Sequence, residues 1–160
     1  MIKIKKHKNY SRKFTNSILS VLLLFALISS RCNEDDNDPL PFAVVNIQIE
    51  PNSTQFLNLN TTGGFEYITA NPPSRGIIVY RIDVNNFVAF ERTCPHDPDA
   101  CCDETSCSRI TVQEDGLIMI DECCGSTYLI LDGSNVSGPS VQPLKQYSTS
   151  YNGRILHIYN

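Results

Sequence analysis

The sequence predicts an all-β domain, and three observations carry that prediction. After residue 40 the apolar positions alternate or gather in short runs, which is the period of strands. The runs are separated by Gly, Pro, Asn and Asp, residues that favour turns. No helix of normal length announces itself in that region. Several short strands at this spacing, without an internal repeat, point to a β-sandwich or small barrel.

Seven segments are expected as strands. VVNIQIE at 44–50 opens the series, followed by FEYIT at 65–69, GIIVYRID at 76–83 and NFVAFERT at 86–93. LIMI at 117–120, TYLIL at 127–131 and RILHIYN at 154–160 complete it. Between them TTGG at 61–64, VNN at 84–86, EDG at 114–116, DGSN at 132–135 and YNG at 151–153 supply residues that tolerate positive φ. The exception is CPHDPDACCDETSCS at 94–108, which has two prolines, four cysteines and no apolar rhythm. Such a loop is held by cross-links or a metal rather than by a core.

The first 31 residues differ in kind. Lys3, Lys5, Lys6, Lys8, Arg12 and Lys13 precede an apolar run from Ile18 to Ile28 interrupted only by Ser20, the pattern of a signal peptide. Eleven residues are too few to cross about 30 Å of hydrocarbon as a permanent helix. Cys32 follows directly, where a bacterial lipoprotein is cut and acylated, although Arg31 stands where the usual pattern has a small residue. The following CNEDDNDP resembles the acidic tether of surface-exported lipoproteins of Gram-negative bacteria. The expected organisation is a signal peptide over 1–31, a lipidated tether over 32–42 and one domain over 43–160.

Cleavage changes the electrostatics. Seven of the 13 Lys and Arg residues lie before Cys32 and all 17 acidic residues lie after it, so the remainder carries a formal charge of −11. With nothing basic to gather phosphates, nucleic-acid binding is excluded as a function class. The partners expected are the membrane, through the anchor, and a protein that the sequence does not identify.

With Cys32 acylated, six cysteines remain, Cys94, Cys101, Cys102, Cys107, Cys123 and Cys124, all within 31 residues. In an exported chain an even set of this kind is first a disulfide framework, with 15 pairings open.

From about residue 65 onward the chain resembles the Rieske [2Fe–2S] domain. Cys94-Pro95-His96 matches that family's first ligand loop, Cys-x-His, directly after a strand. The family's second loop reads Cys-Pro-Cys-His-Gly-Ser, and aligning Gly125-Ser126 on its Gly-Ser sets Asp121 at the second thiolate and Cys124 at the second imidazole. Ser126 and Tyr128 fall on hydroxyls that tune the cluster, and Gly138-Pro139-Ser140, Pro143-Leu144 and Tyr147 match the segment that follows. The resemblance implies a Rieske-like antiparallel β-sandwich or small barrel with two cysteine-rich loops at one tip.

Cys123 falls on the family's structural cysteine, whose partner position is Asp99 here, with Cys101 and Cys102 nearby. The resemblance therefore implies that Cys123 pairs with Cys101 or Cys102, that the other of these pairs with Cys107, and that Cys94 and Cys124 form a disulfide across the vacated cluster position. No cofactor is then expected, and the function is that of a membrane-anchored, disulfide-stapled binding or structural module. The alternative is an electron-transfer protein holding an atypical [2Fe–2S] cluster or another metal at Cys94, His96, Asp121 and Cys124. Stand-alone catalysis is not expected, because a Rieske domain shuttles electrons to a catalytic partner domain. His157 lies in an alternating terminal strand and is expected to be structural, and the carboxylates Asp97, Asp99, Asp103 and Glu104 are expected to be solvated.

Overall fold

The computed structural model describes residues 40–160. The expected signal peptide, the expected acylation site Cys32 and the expected tether up to residue 39 lie outside the described residues. Leu40 and Ala43 are buried, so packing begins inside the stretch expected as tether.

The described chain is all-β. It runs through β1 (Asn46–Ile49), 3₁₀ turns over Thr54–Asn60, β2 (Phe65–Ile68), β3 (Ile77–Arg81) and β4 (Phe87–Glu91). It continues through β5 (Thr111–Val112), β6 (Ile118–Ile120), β7 (Thr127–Leu129), β8 (Asn135–Ser137), β9 (Gln146–Tyr151) and β10 (Leu156–Tyr159). A six-stranded antiparallel sheet has the order β1-β10-β9-β4-β3-β2, and a four-stranded one has the order β5-β6-β7-β8. The larger sheet is closed across its middle by β9, which pairs β10 along its length and β4 through Ala89↔Tyr147 and Phe90↔Gln146.

Two cores follow from this arrangement. Inside the curl of the large sheet, Val45, Ile49, Leu59, Ile77, Val79, Phe87, Ala89, Leu156 and Ile158 pack together. Between the two sheets, Ile78, Tyr80, Val88 and Phe90 meet Ile110, Met119, Tyr128, Ile130 and Leu144. Alternate residues of β3 and β4 thus enter different cores, and every residue of both strands is buried. That is why IIVYR and FVAFE lack a polar face: a strand covered on both sides has no solvent side to mark. The charged ends of these strands are satisfied inside the fold. Buried Arg81 donates to Asn52 Oδ1 and to the carbonyls of Leu59 and Val84, each at 2.7 Å, and to Asp83 O at 3.1 Å.

The seven expected strands form, each one to three residues shorter. Three further strands, β5, β8 and β9, and the 3₁₀ turns were not expected. β9 reads QYSTSY, whose inward Tyr147 and Thr149 carry hydroxyls in place of aliphatic groups; Thr149 Oγ1 donates to Phe87 O at 2.8 Å. The turn at 84–86 also differs from expectation, since among the described residues no non-glycine takes positive φ. There the Asp83 carboxylate accepts the N–H groups of Asn85 and Asn86 at 2.8 and 2.9 Å and so replaces the left-handed residue.

Candidate functional site

Two loops meet beside the core between the sheets. The first leaves β4 and returns as β5, and its ends are tied twice: Ile110 N donates to Arg92 O, and Arg92 Nε donates to Ile110 O, both at 2.9 Å. The second, Asp121–Ser126, closes the β6–β7 hairpin. Asp121 N donates to Ser126 O at 3.0 Å, and Gly125, at φ 74°, lets its own N–H reach Asp121 O at 2.8 Å.

The first loop is anchored from beneath by two charged residues. Buried Glu91 accepts five hydrogen bonds, from Arg75 N (2.9 Å), Thr93 N (3.1 Å), Thr93 Oγ1 (2.7 Å), Ser74 Oγ (2.5 Å) and Tyr147 OH (2.7 Å). It thereby fixes Arg75, whose guanidinium donates to the carbonyls of Pro98 and Ser108 and approaches Cys102 Sγ at 3.2 Å. The loop's own carboxylates cap its backbone: Asp103 Oδ1 accepts Thr105 N and Ser106 N at 2.7 Å, and Asp97 Oδ1 accepts Ala100 N at 3.1 Å.

Among the described residues two disulfides form, Cys101–Cys123 and Cys102–Cys107. The first joins the two loops, and the second closes a short antiparallel bridge within the first loop. The adjacent cysteines of each vicinal pair therefore point to different partners.

Cys94 and Cys124 remain as free thiols with their Sγ atoms 3.2 Å apart. The disulfide expected between them is not formed. Its bond length is about 2.05 Å, and Cys94 is instead packed into the core beside the Tyr128 hydroxyl, 3.5 Å away. Cys124 donates to Ser126 Oγ at 3.2 Å, and that oxygen also accepts Ser140 N at 3.0 Å. Burial pushes the Cys94 thiol up to about 11, only partly offset by the Tyr128 hydroxyl and the His96 N–H. Burial and the neighbouring Cys94 likewise push the Tyr128 hydroxyl up.

Asp121 is 1% exposed. Its Oδ1 accepts the N–H groups of Cys123 and Cys124 at 2.8 and 3.2 Å, whereas its Oδ2 is buried with no hydrogen-bond partner among the described residues. One ligand atom each from Cys94, Asp121 and Cys124 lies within 4.8 Å of the others. No protein-family model matches the chain, and neither does any curated protein. The chemistry of this site therefore rests on its own geometry.

Of the four residues expected to share a metal, three are brought together. His96 is exposed and outside the group. His157 Nε2 lies 2.8 Å from Asn46 Oδ1 across the β1–β10 pair. The donor set does not fit a [2Fe–2S] cluster in this arrangement. Such a cluster takes four ligands, two on each iron, and two sulfurs in contact at 3.2 Å leave no room between them for two irons and two sulfides. Glu91 and Arg75, which position the first loop, were not singled out from the sequence. The available signal was an acid closing a fully apolar strand, FVAFE, and a lone arginine between prolines and glycine.

Proposed function

We propose that the chain is an exported, lipid-anchored protein whose Rieske-like domain serves as a binding or structural module and has exchanged its [2Fe–2S] cluster for cysteine cross-links. The observation that carries this is the 3.2 Å approach of Cys94 to Cys124, which leaves no room for a cluster between the two loops. The exposure of His96, the Cys101–Cys123 disulfide that joins the loops, and the hydroxyls of Ser126 and Tyr128 left on the thiols fit the same reading. Cys32 carries the anchor, and the acidic stretch after it keeps the domain clear of the membrane.

The test is to purify the protein without air and measure iron, sulfide and the visible spectrum. A colourless protein without cluster iron is expected. A brown protein with about two irons per chain defeats the proposal and restores electron transfer. Mass spectrometry of the mature N-terminus tests the anchor: an acylated Cys32 is expected, and a different N-terminus or an unmodified cysteine removes that part.

A further inference from the structure

The geometry points to a mononuclear site for a thiophilic divalent cation of the zinc class, with Cys94 Sγ, Cys124 Sγ and the Asp121 carboxylate as ligands. Three observations converge on it. The ligand atoms lie within 4.8 Å of one another on two loops that a disulfide holds together. The buried Asp121 Oδ2 has no partner among the described residues, and a buried carboxylate oxygen without a donor calls for a cation or a proton. The sulfur separation also discriminates between the possible fates of the pair. Two thiolates on a tetrahedral ion with bonds of about 2.3 Å sit about 3.8 Å apart, so the thiols open by only about half an ångström from their 3.2 Å. Forming a disulfide of about 2.05 Å needs a larger movement, and in the opposite direction.

On binding, the two thiols lose their protons to solvent, and the two thiolates with the Asp121 oxygen ligate the dication. The surroundings are those of a metal shell as well: the Asp121 carboxylate is oriented by the N–H groups of Cys123 and Cys124, and Tyr128 lies against the Cys94 sulfur. Three protein ligands leave a fourth position for water or for an incoming group.

This goes beyond the cluster-free function proposed above, and the two fail separately: cluster iron defeats that function, whereas absence of zinc binding leaves it standing. The experiment uses the protein purified without air, with free thiols assigned by peptide mapping and Zn²⁺ or Co²⁺ titrated by calorimetry in buffers of different ionisation enthalpy. One ion per chain is expected, with about two protons released. With Co²⁺, an absorption band from thiolate ligation accompanies binding. Asp121→Asn keeps an oxygen for the Cys123 and Cys124 N–H groups and is expected to weaken binding about tenfold or more. Cys124→Ser is expected to abolish the cobalt band, and Asp103→Asn, on the exposed loop, to change nothing. Cys94 and Cys124 found joined to each other, no saturable binding, or binding unaltered by Asp121→Asn and Cys124→Ser overturns the site.

Discussion

Replacing Glu91 by glutamine keeps the shape of the side chain and removes its charge, which isolates what the carboxylate does. Five donors converge on it: three on Oε1, from Arg75 N, Thr93 N and Thr93 Oγ1, and two on Oε2, from Ser74 Oγ and Tyr147 OH. In the variant the amide oxygen can keep the three, while the amide nitrogen faces two hydroxyls that must rotate to accept. All five contacts lose their charge assistance. A hydrogen bond to a charged group is worth about 1.5–3 kcal/mol against about 0.5–1.5 for a neutral one, and rotation softens the loss, so Glu91→Gln is expected to cost about 2–4 kcal/mol. Glu91→Ala strands the same donors without any acceptor and is expected not to fold, since the whole stability of a domain is about 5–15 kcal/mol. The assay is urea unfolding followed by far-ultraviolet circular dichroism and tyrosine fluorescence, the chain having no tryptophan. A lower midpoint with an unchanged slope is expected for glutamine. A midpoint equal to that of the wild type refutes the view that this carboxylate anchors the first loop.

Two further outcomes follow from the site. Because the folded state holds the Cys94 proton more tightly than the unfolded chain does, its contribution to stability is fully present below the ordinary thiol range and is lost as pH rises through about 11. Unfolding midpoints measured from pH 8 to 11 are expected to fall by an amount worth about 2 kcal/mol, less so in Cys94→Ser, whose hydroxyl does not titrate there; equal slopes in both proteins refute it. Gly138, at φ 96°, lies so close to the second loop that an added Cβ falls 2.4 Å from Ser126 Cα and 2.8 Å from Ser126 N and Gly125 O. Gly138→Ala is therefore expected to cost about 2 kcal/mol or more and, by shifting Ser126, to speed alkylation of Cys124; unchanged stability and thiol reactivity refute it.

The strands that were legible in the sequence are those whose packing demands aliphatic side chains, such as IIVYR and FVAFE between two cores. β9 was hidden because its inward positions are filled by Tyr147 and the half-buried Thr149, and β5 and β8 because two or three residues carry no period. The site was legible in its residue types and not in its bonds. Cys-x-His and Asp-Glu-Cys-Cys-Gly-Ser mark the two loops, but whether two thiols stand at 2 Å or 3 Å depends on how far the core draws Cys94 inward. Neither the unpaired oxygen of Asp121 nor the exposure of His96 has a signature in the chain, because both follow from how the loops fold back on the sheet.

β3 and β4 form a wall common to both cores, and this governs how the domain comes apart. Detaching the small sheet uncovers Ile78, Tyr80, Val88 and Phe90, while opening the curl of the large one uncovers Ile77, Val79, Phe87 and Ala89. Neither half retains a complete lining without the other, so no stable half-folded species is available to the described domain. The amides of these two strands are expected to exchange with deuterium only when the entire domain opens, whereas those of the cysteine-rich loops exchange through small local excursions. Ions, ligands and proteases can thus reach the tip many times during one lifetime of the central strands.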